Sequence, residues 1–237
     1  MAKTSKRYEG VAALVDRDQA YEPAAAVSLV KKTATAKFDE TVELHIRTGA
    51  DPRQADQLIR EVALLPNGLG KPVRVLVFTQ GDSARAAREA GADYVGDDDL
   101  IQRIEGGWIE FDTSIATPDM MGRIGRLGRI LGRRGLMPNP RTGTVVQAQD
   151  VARAVADARK GRVEIRMDRT AIIHAPIGKA SFADQALVEN LTSVVELVAR
   201  ARPASVKGQF IRSAYLTSTM GPGIPLDLAS LLSLRVE

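Results

Sequence analysis

Along residues 41–48 apolar and polar side chains alternate without a break. Val42, Leu44 and Ile46 fall on one side, and Thr41, Glu43, His45 and Arg47 on the other. A period of two belongs to a β-strand with one buried and one solvated face. Ahead of it, Glu22-Pro23 opens a stretch predicted to be helical through Lys32, with the proline placed early, where its missing N–H costs no hydrogen bond. Behind it, Asp51-Pro52 is predicted to start a second helix carrying Leu58, Ile59, Val62, Leu64 and Leu65. The run Pro66-Asn67-Gly68-Leu69-Gly70-Lys71-Pro72 is dense in turn formers and marks a candidate hinge.

After that hinge the rhythm changes. Residues 73–79 are a nearly continuous apolar run, as expected of a strand covered on both faces. Helices are predicted at 83–90, 100–105, 118 to about 132, and from 148–150 to near Lys160-Gly161, with strands at 93–95, 111–116 and 144–146. Strands alternating with helices imply a small parallel sheet with helices on both sides. Past Gly161 the pattern reverts: strands at 162–167 and 171–174 flank Asp168-Arg169-Thr170, residues 182–201 form a long amphipathic helix through Leu187, Leu191, Val194, Val195 and Val198, and 207–219 is a last strand. The economical architecture is α/β and α+β in two domains. A split α+β first domain (1–67 and 160–237) carries an inserted Rossmann-like three-layer α/β second domain (68–159), and two chain crossings permit hinge motion.

Composition narrows the function. In 237 residues, 44% are hydrophobic and 26% charged, ordinary values for a globular chain. No apolar run approaches the roughly 20 residues that span a bilayer. The segment 1–10 is basic and lacks the apolar core of a signal peptide, so a cytoplasmic location is expected. With no cysteine, disulfides, thiolate metal sites and thiol catalysis are excluded. Two histidines, His45 and His174, supply a metal cluster or catalytic triad poorly, and neither metal nor cofactor is expected. A net charge of +4 leans toward a polyanionic partner. An aromatic content of 4% argues against base stacking as the main contact, leaving folded RNA read by shape and backbone.

The most unusual segment is 122–143, GRIGRLGRILGRRGLMPNPRTG, with Arg123, Arg126, Arg129, Arg133, Arg134 and Arg141 and no acidic residue. Ile124, Leu127, Ile130 and Leu131 keep a helical stripe, while each glycine costs a helix roughly 1 kcal/mol against alanine. Close backbone approach is the usual reason for such glycines. Two readings stand side by side: an arginine surface for phosphates or another acidic partner, and a solvated basic face balanced by Asp97-Asp98-Asp99 and neighbouring acids. Gly68-Leu69-Gly70-Lys71 resembles part of a phosphate loop but lacks the first glycine, and Pro72 stands where Ser or Thr would hold magnesium. The dinucleotide fingerprint is also missing. Glu43 and His45 share a polar strand face without the third group a catalytic pair needs. His174, in an apolar strand, is expected to be hydrogen-bonded near the core. The three aspartates 97–99 are expected to open a helix rather than bind calcium.

Several segments together carry a resemblance: Ala36-Lys37-Phe38-Asp39-Glu40-Thr41-Val42-Glu43, Leu65-Pro66-Asn67-Gly68-Leu69-Gly70-Lys71, the stretch from Leu127 to Pro140, His174-Ala175-Pro176-Ile177-Gly178-Lys179, and Thr217-Ser218-Thr219-Met220-Gly221-Pro222. In order and spacing these resemble the ribosomal protein L-one family in its bacterial form, over nearly the whole chain. The chain departs from the family at Gly132-Arg133-Arg134-Gly135, where Gly-Pro-Arg-Gly is expected, which adds charge and removes a rigid turn. The resemblance implies the split and inserted domains described above. It implies a non-enzymatic constituent of the large subunit, a monomer within the ribosome, that binds large-subunit ribosomal RNA as the mobile lateral stalk near the tRNA exit site. It also implies help in releasing deacylated exit-site tRNA and repression of translation of its own mRNA.

Carried over residue by residue, the resemblance puts rRNA contacts at Lys37, Phe38, Thr41 and Glu43 in one motif and at Ser213, Thr217, Thr219, Met220 and Gly221 in another, with Asp168, Arg169 and Lys207 as further candidates. Lysine neutralises phosphate, while hydroxyls and a backbone N–H bond phosphate or ribose 2′-OH groups. Glu43 fits only as an acceptor for a 2′-OH or a base amino group. Phe38 and Met220 either touch a sugar or base face or pack the core. Arg123, Arg126, Arg129, Arg133 and Arg134 are candidates for contact with tRNA or other distant RNA. Two rivals remain at this point. One is a nucleotide enzyme built on the α/β unit, which a thermal-shift screen with nucleotides would reveal. The other is a basic adaptor that binds an acidic protein through 122–143.

Overall fold

The structure, a computed structural model, describes residues 5–234. Residues 1–4, part of the segment expected to contain no signal peptide, lie outside them. In chain order the elements are α1 (Lys6–Ala12), α2 (Pro23–Thr33), β1 (Thr41–Thr48), β2 (Arg60–Leu64), β3 (Val75–Phe78), α3 (Asp82–Glu89), β4 (Tyr94–Gly96), α4 (Asp98–Glu105), β5 (Thr113–Ala116), α5 (Pro118–Ile124), α6 (Gly128–Arg133), α7 (Val151–Arg159), β6 (Arg162–Arg166), β7 (Ile172–Lys179), α8 (Asp184–Arg200), β8 (Ile211–Ser218), β9 (Ile224–Pro225) and α9 (Leu228–Ser233). They make a mixed α/β chain with a four-stranded sheet in the order β7-β1-β8-β9, a β2-β6 pair, and a three-stranded sheet in the order β4-β3-β5. The first sheet is antiparallel and the last parallel. Two compact units result: Met1–Gly70 with Val163–Glu237, and Lys71–Arg162.

In the first unit the alternation of β1 does what a period of two demands. Val42, Leu44 and Ile46 are fully buried, joined by Ile173, Ala175 and Ile177 of β7 and Ala214 and Leu216 of β8. Two helices cover this face. α2, with Pro23 at its start and Glu22 extended before it, presents Ala26, Val27 and Val30. α8 presents Leu187, Leu191, Val194, Val195 and Val198 at helical spacing. Each fully buried branched side chain is worth about 1.5–3 kcal/mol, so this shared layer is the unit's main stabiliser. The opposite face of the sheet remains polar and open.

The helix expected after Asp51-Pro52 is not formed. A single 3-10 turn at Ala55–Gln57 is followed by strand β2. Gln57, Ile59, Ala63 and Leu65 are buried while Leu58 and Leu64 are exposed, a spacing of two rather than 3.6. The apolar run is compatible with both periods, and a partner about a hundred residues away, β6, decides between them. Three elements without a sequence-based expectation also appear: α1, where the Ser5 hydroxyl accepts from the Tyr8 N–H, the short edge strand β9, and α9, where the Asp227 carboxylate accepts from the Ser230 N–H.

In the second unit the parallel strands carry apolar clusters on both faces. Leu76 and Phe78 pack with Leu100, Ile101 and Ile104 of α4 and with Ile124, Leu127 and Leu131, and Val75 and Val77 pack with Ala87 of α3 and Val151, Ala154, Val155 and Ala158 of α7. The strand expected at 144–146 is reduced to one parallel bridge between Ala116 and Val145. The helix expected over 118–132 is broken by a 3-10 turn at Gly125–Leu127, as glycines that weaken the i→i−4 ladder allow. The aspartates 97–99 do open a helix, α4.

Candidate nucleic-acid interface

The open face of the antiparallel sheet is built by register. On central strand β1, Glu43 lies between Pro176 of β7 and Thr217 of β8, His45 between His174 and Tyr215, and Arg47 between Ile172 and Ser213. One face therefore gathers a carboxylate, two imidazoles, a phenol, a guanidinium and two hydroxyls. Tyr215 is 43% exposed. The Nδ1 atoms of His45 and His174 are 2.7 Å apart. The outer nitrogen of each ring meets an acid: Nε2 of His45 is 3.8 Å from Glu43, and Nε2 of His174 is 3.6 Å from Asp168. Burial pushes the His45 pKa down and the neighbouring His174 pushes it further, against an upward pull from Glu43. His174 is therefore hydrogen-bonded as expected, but it is exposed on the polar face rather than near the core. The apolar neighbours Ile173 and Ala175 point inward, and the strand's alternation turns His174 out.

At one end of this face two loops meet. The Thr219 N–H donates to the Thr41 carbonyl at 3.0 Å, and the Thr41 N–H donates to Thr219 Oγ1 at 2.9 Å. Glu40, only 1% exposed, accepts from the Ala36 N–H with Oε1 and from the Met220 N–H with Oε2, both at 2.8 Å. Burial pushes its pKa up, but the N–H groups of Ala36 and Met220, with the Ser218 hydroxyl and the Arg7 charge nearby, bring it below the ordinary value. Lys179 Nζ donates to Thr41 Oγ1 at 2.8 Å. The Thr217 hydroxyl is turned into its own loop, toward the Ser218, Gly221 and Pro222 carbonyls. A Cβ added at Gly221 would lie 2.5 Å from Ser218 Oγ, so this turn admits only glycine without a shift. Phe38 and Met220 do not pack the core: they are 55% and 47% exposed. Lys37 is exposed beside them, with no ion pair among the described residues.

The face thus brings together Lys37, Phe38, Thr41, Glu43, Thr217, Thr219, Met220 and Gly221 at one end. Ser213 sits beside Arg47 toward the other end, where Asp168 and Arg169 form the turn into β7 and Lys207 lies on the exposed loop before β8. Asp168 is occupied locally: Oδ1 accepts from the Thr170 and Ile172 N–H groups at 2.8 Å. Burial raises its pKa, but these bonds and the Thr170 hydroxyl pull it down to about 2. Sequence reasoning put Arg47 on this polar face without naming it as a contact, and missed Glu40, Lys179 and Tyr215 as members of the region. The alternation Ser213-Tyr215-Thr217 was a usable signal for Tyr215, but no local signal marks Glu40, which is covered by a loop some 180 residues later.

On the second unit the arginine segment divides. Arg123 pairs with Asp98 at 3.3 Å, and Arg126 with Glu105 at 3.3 Å and Asp98 at 3.9 Å. Arg129, Arg133 and Arg134 are exposed without an ion pair among the described residues. The glycines do not serve close approach within the protein, since a Cβ added at Gly122, Gly125, Gly128 or Gly132 meets nothing within 4 Å. Among the described residues no metal-holding cluster occurs and no helix is long and apolar enough to cross a membrane.

A model of the Ribosomal protein L1p/L10e family matches residues 30–222, which span both loops and the whole of the second unit. The chain belongs to that family. It is similar to the large ribosomal subunit protein uL1 of Thermomicrobium roseum, 57% identical over 231 residues covering 97% of this chain and 96% of the relative. It is similar also to the protein of that name from Chloroflexus aggregans, 55% identical over 237 residues covering 100% of both, and to that of Dehalococcoides mccartyi, 55% identical over 228 residues covering 96% of each. Membership of the L1p/L10e family makes the chain a ribosomal protein and not an enzyme. The resemblance carried by the motif residues is therefore a full-length relationship.

Proposed function

We propose that this chain is a constituent of the large ribosomal subunit that binds large-subunit rRNA through the open sheet face and its two end loops. The observation that carries the reading is the meeting of residues 36–43 with residues 217–221. These stretches lie about 180 residues apart in sequence, yet their backbones are bonded to each other and their large side chains, Phe38 and Met220, stand in solvent. Exposed apolar side chains beside Lys37, Thr219 and the acceptor Glu43 suit a ribose-phosphate surface with hydroxyls and base edges. In this reading Lys37, Phe38, Thr41, Glu43, Ser213, Thr217, Thr219, Met220 and Gly221 form the contact, with Asp168, Arg169 and Lys207 at its far end. The Thr217 hydroxyl acts mainly by shaping the turn.

The domain reading follows from the same argument: a split α+β RNA-binding domain, 1–67 and 160–237, with a Rossmann-like three-layer domain, 68–159, inserted in it. The complex is one-to-one and forms the mobile lateral stalk near the tRNA exit site. Arg129, Arg133 and Arg134, without an ion pair among the described residues, are the members of the arginine set suited to departing tRNA, with Arg123 and Arg126 held back by Asp98 and Glu105. The same face, offered a similar fold in the chain's own mRNA, represses translation.

The test is binding to stalk rRNA across a salt series for the wild type, Thr219→Ala and Glu43→Ala. Log affinity is expected to fall against log salt with a slope of roughly −0.7 to −0.9 per phosphate neutralised. Both variants should bind far more weakly with nearly unchanged slopes. Wild-type binding with no preference for stalk rRNA over other RNA would overturn the reading. For the second unit, a triple Arg129→Ala, Arg133→Ala, Arg134→Ala variant should keep rRNA affinity and alter tRNA release, and no change in either would remove the tRNA role.

A further inference from the structure

We propose that Glu40 is the positioning residue of the RNA face, its buried carboxylate tying the two contact loops into one geometry. Its side chain touches no solvent-facing surface, so it contacts no RNA itself. Oε1 holds the Ala36 N–H, and through it the loop that displays Lys37 and Phe38. Oε2 holds the Met220 N–H, and through it the turn that displays Thr219 and Gly221. One rigid carboxylate thus fixes the separation of two segments that approach from opposite ends of the chain. A second strut acts from outside: the Arg7 guanidinium of α1 donates to the Met220 carbonyl at 3.1 Å and to Thr35 Oγ1 at 3.0 Å. Met220 is therefore held at both its N–H and its carbonyl, one by Glu40 and one by Arg7, while its side chain remains exposed.

The charge argument supports positioning over mere stability. An anion beneath a surface that receives phosphates works against binding, and a neutral pair of acceptors would avoid that repulsion. A carboxylate is retained where charge-assisted bonds to two N–H donors hold geometry more tightly than neutral ones, and Arg7 offsets its field. Pre-forming both loops spares the ordering cost that RNA binding would otherwise bear. The inference rests on the rRNA reading above and on its two-loop contact.

The experiment compares the full chain with its Glu40→Gln and Arg7→Gln variants for stalk-rRNA affinity across a salt series, with amide hydrogen exchange read by NMR. Glu40→Gln presents an NH₂ where a carboxylate oxygen faced an N–H. It is expected to lower affinity about ten-fold or more with an unchanged salt slope. Protection should fall at the Ala36 and Met220 amides and hold at Ile46 and Leu191. Arg7 is exposed and its loss is easily tolerated by the fold, so Arg7→Gln keeps the test decisive where Glu40→Gln folds poorly. It should also weaken binding with an unchanged slope. A slope shallower by about one phosphate would make Arg7 a phosphate contact and overturn its strut role. Folded Glu40→Gln that binds like wild type, or protection lost throughout the unit, would overturn the proposal for Glu40. A wild type without preference for stalk rRNA would instead remove the functional reading beneath it.

Discussion

His45 and His174 face each other across β1 and β7 with their Nδ1 atoms 2.7 Å apart, so one ring must donate and the other accept. The pair tolerates at most one extra proton, because two Nδ1–H groups at that distance would oppose each other. Burial, then the His174 charge, lower the His45 pKa below its ordinary 6.5. For a base whose folded pKa is depressed, the folded state binds fewer protons than the unfolded one. Its stability contribution is then complete above 6.5 and is lost as pH falls from 6.5 toward the folded value. Urea unfolding should show stability declining as pH drops below neutrality, with a flatter profile in His45→Gln. A profile as steep in the variant as in the wild type would place the proton elsewhere.

Asp112 sets a second, more acidic window in the other unit. Burial raises its pKa, but hydrogen bonds from Lys71 Nζ at 2.8 Å and from Arg74 Nε at 3.1 Å pull it to about 2. A carboxylate depressed in this way contributes stability that is present above its ordinary 3.8 and lost as pH falls toward 2. Both cations are largely exposed, so solvent screening leaves on the order of 1 kcal/mol. Asp112→Asn should be less stable than wild type by about that amount near pH 7, and the gap should close as the pH approaches 2. A gap that persists in acid would assign the loss to packing rather than charge.

How much of this was legible in the sequence depended on where the deciding partner lay. Residues 41–48 carry their burial pattern within themselves, and the strand formed where the alternation put it. Ile59 to Leu65 fit two periods, and only pairing with β6 chose the strand. His174 was misplaced because its neighbours are apolar, although the same alternation that buries Ile173 exposes it. Phe38 and Met220 had two open readings, and their exposure settles that they do not pack the core. Glu40 carries no mark of its place in the sequence, since nothing local shows that residues 218–221 close over it. The arginine segment was visible as charge, but its division into paired and unpaired members needs the position of Asp98 and Glu105 at the two ends of α4.

Asn190 is the polar centre of the first unit's core. Fully buried on α8, it donates to the Ile177 carbonyl at 2.7 Å and the Gly68 carbonyl at 3.0 Å, and accepts from the Asn67 N–H at 3.0 Å. It therefore fastens the turn that ends the first segment of this unit to both the sheet and the long helix. Asn190→Ala removes all three bonds and takes the side-chain partner from the buried Ile177 carbonyl and from the partly covered Gly68 and Asn67 backbone. The expected cost is about 2–4 kcal/mol, well above the usual effect of a surface change. Chemical denaturation measures it. A cost under about 1 kcal/mol would mean that water or a relaxed turn replaces the side chain.

Ala171 is the non-glycine residue that takes a positive φ among the described residues, at 63°. It sits between the Asp168 turn and β7, where its carbonyl accepts from both the Thr48 N–H and the Thr48 hydroxyl. Its conformation is thus imposed from outside by a buried partner on β1. A Cβ in the left-handed region costs roughly 1–2 kcal/mol, whereas glycine avoids that cost but loses more backbone freedom on folding. The balance favours Ala171→Gly by about 0.5–1 kcal/mol, which for a chain of this size should raise Tm by a few degrees. Because the Asp168 turn and His174 follow the same backbone, rRNA affinity should remain at the wild-type level. A destabilised variant would show that the small Ala171 methyl, 8% exposed, contributes more by packing than its backbone strain takes away.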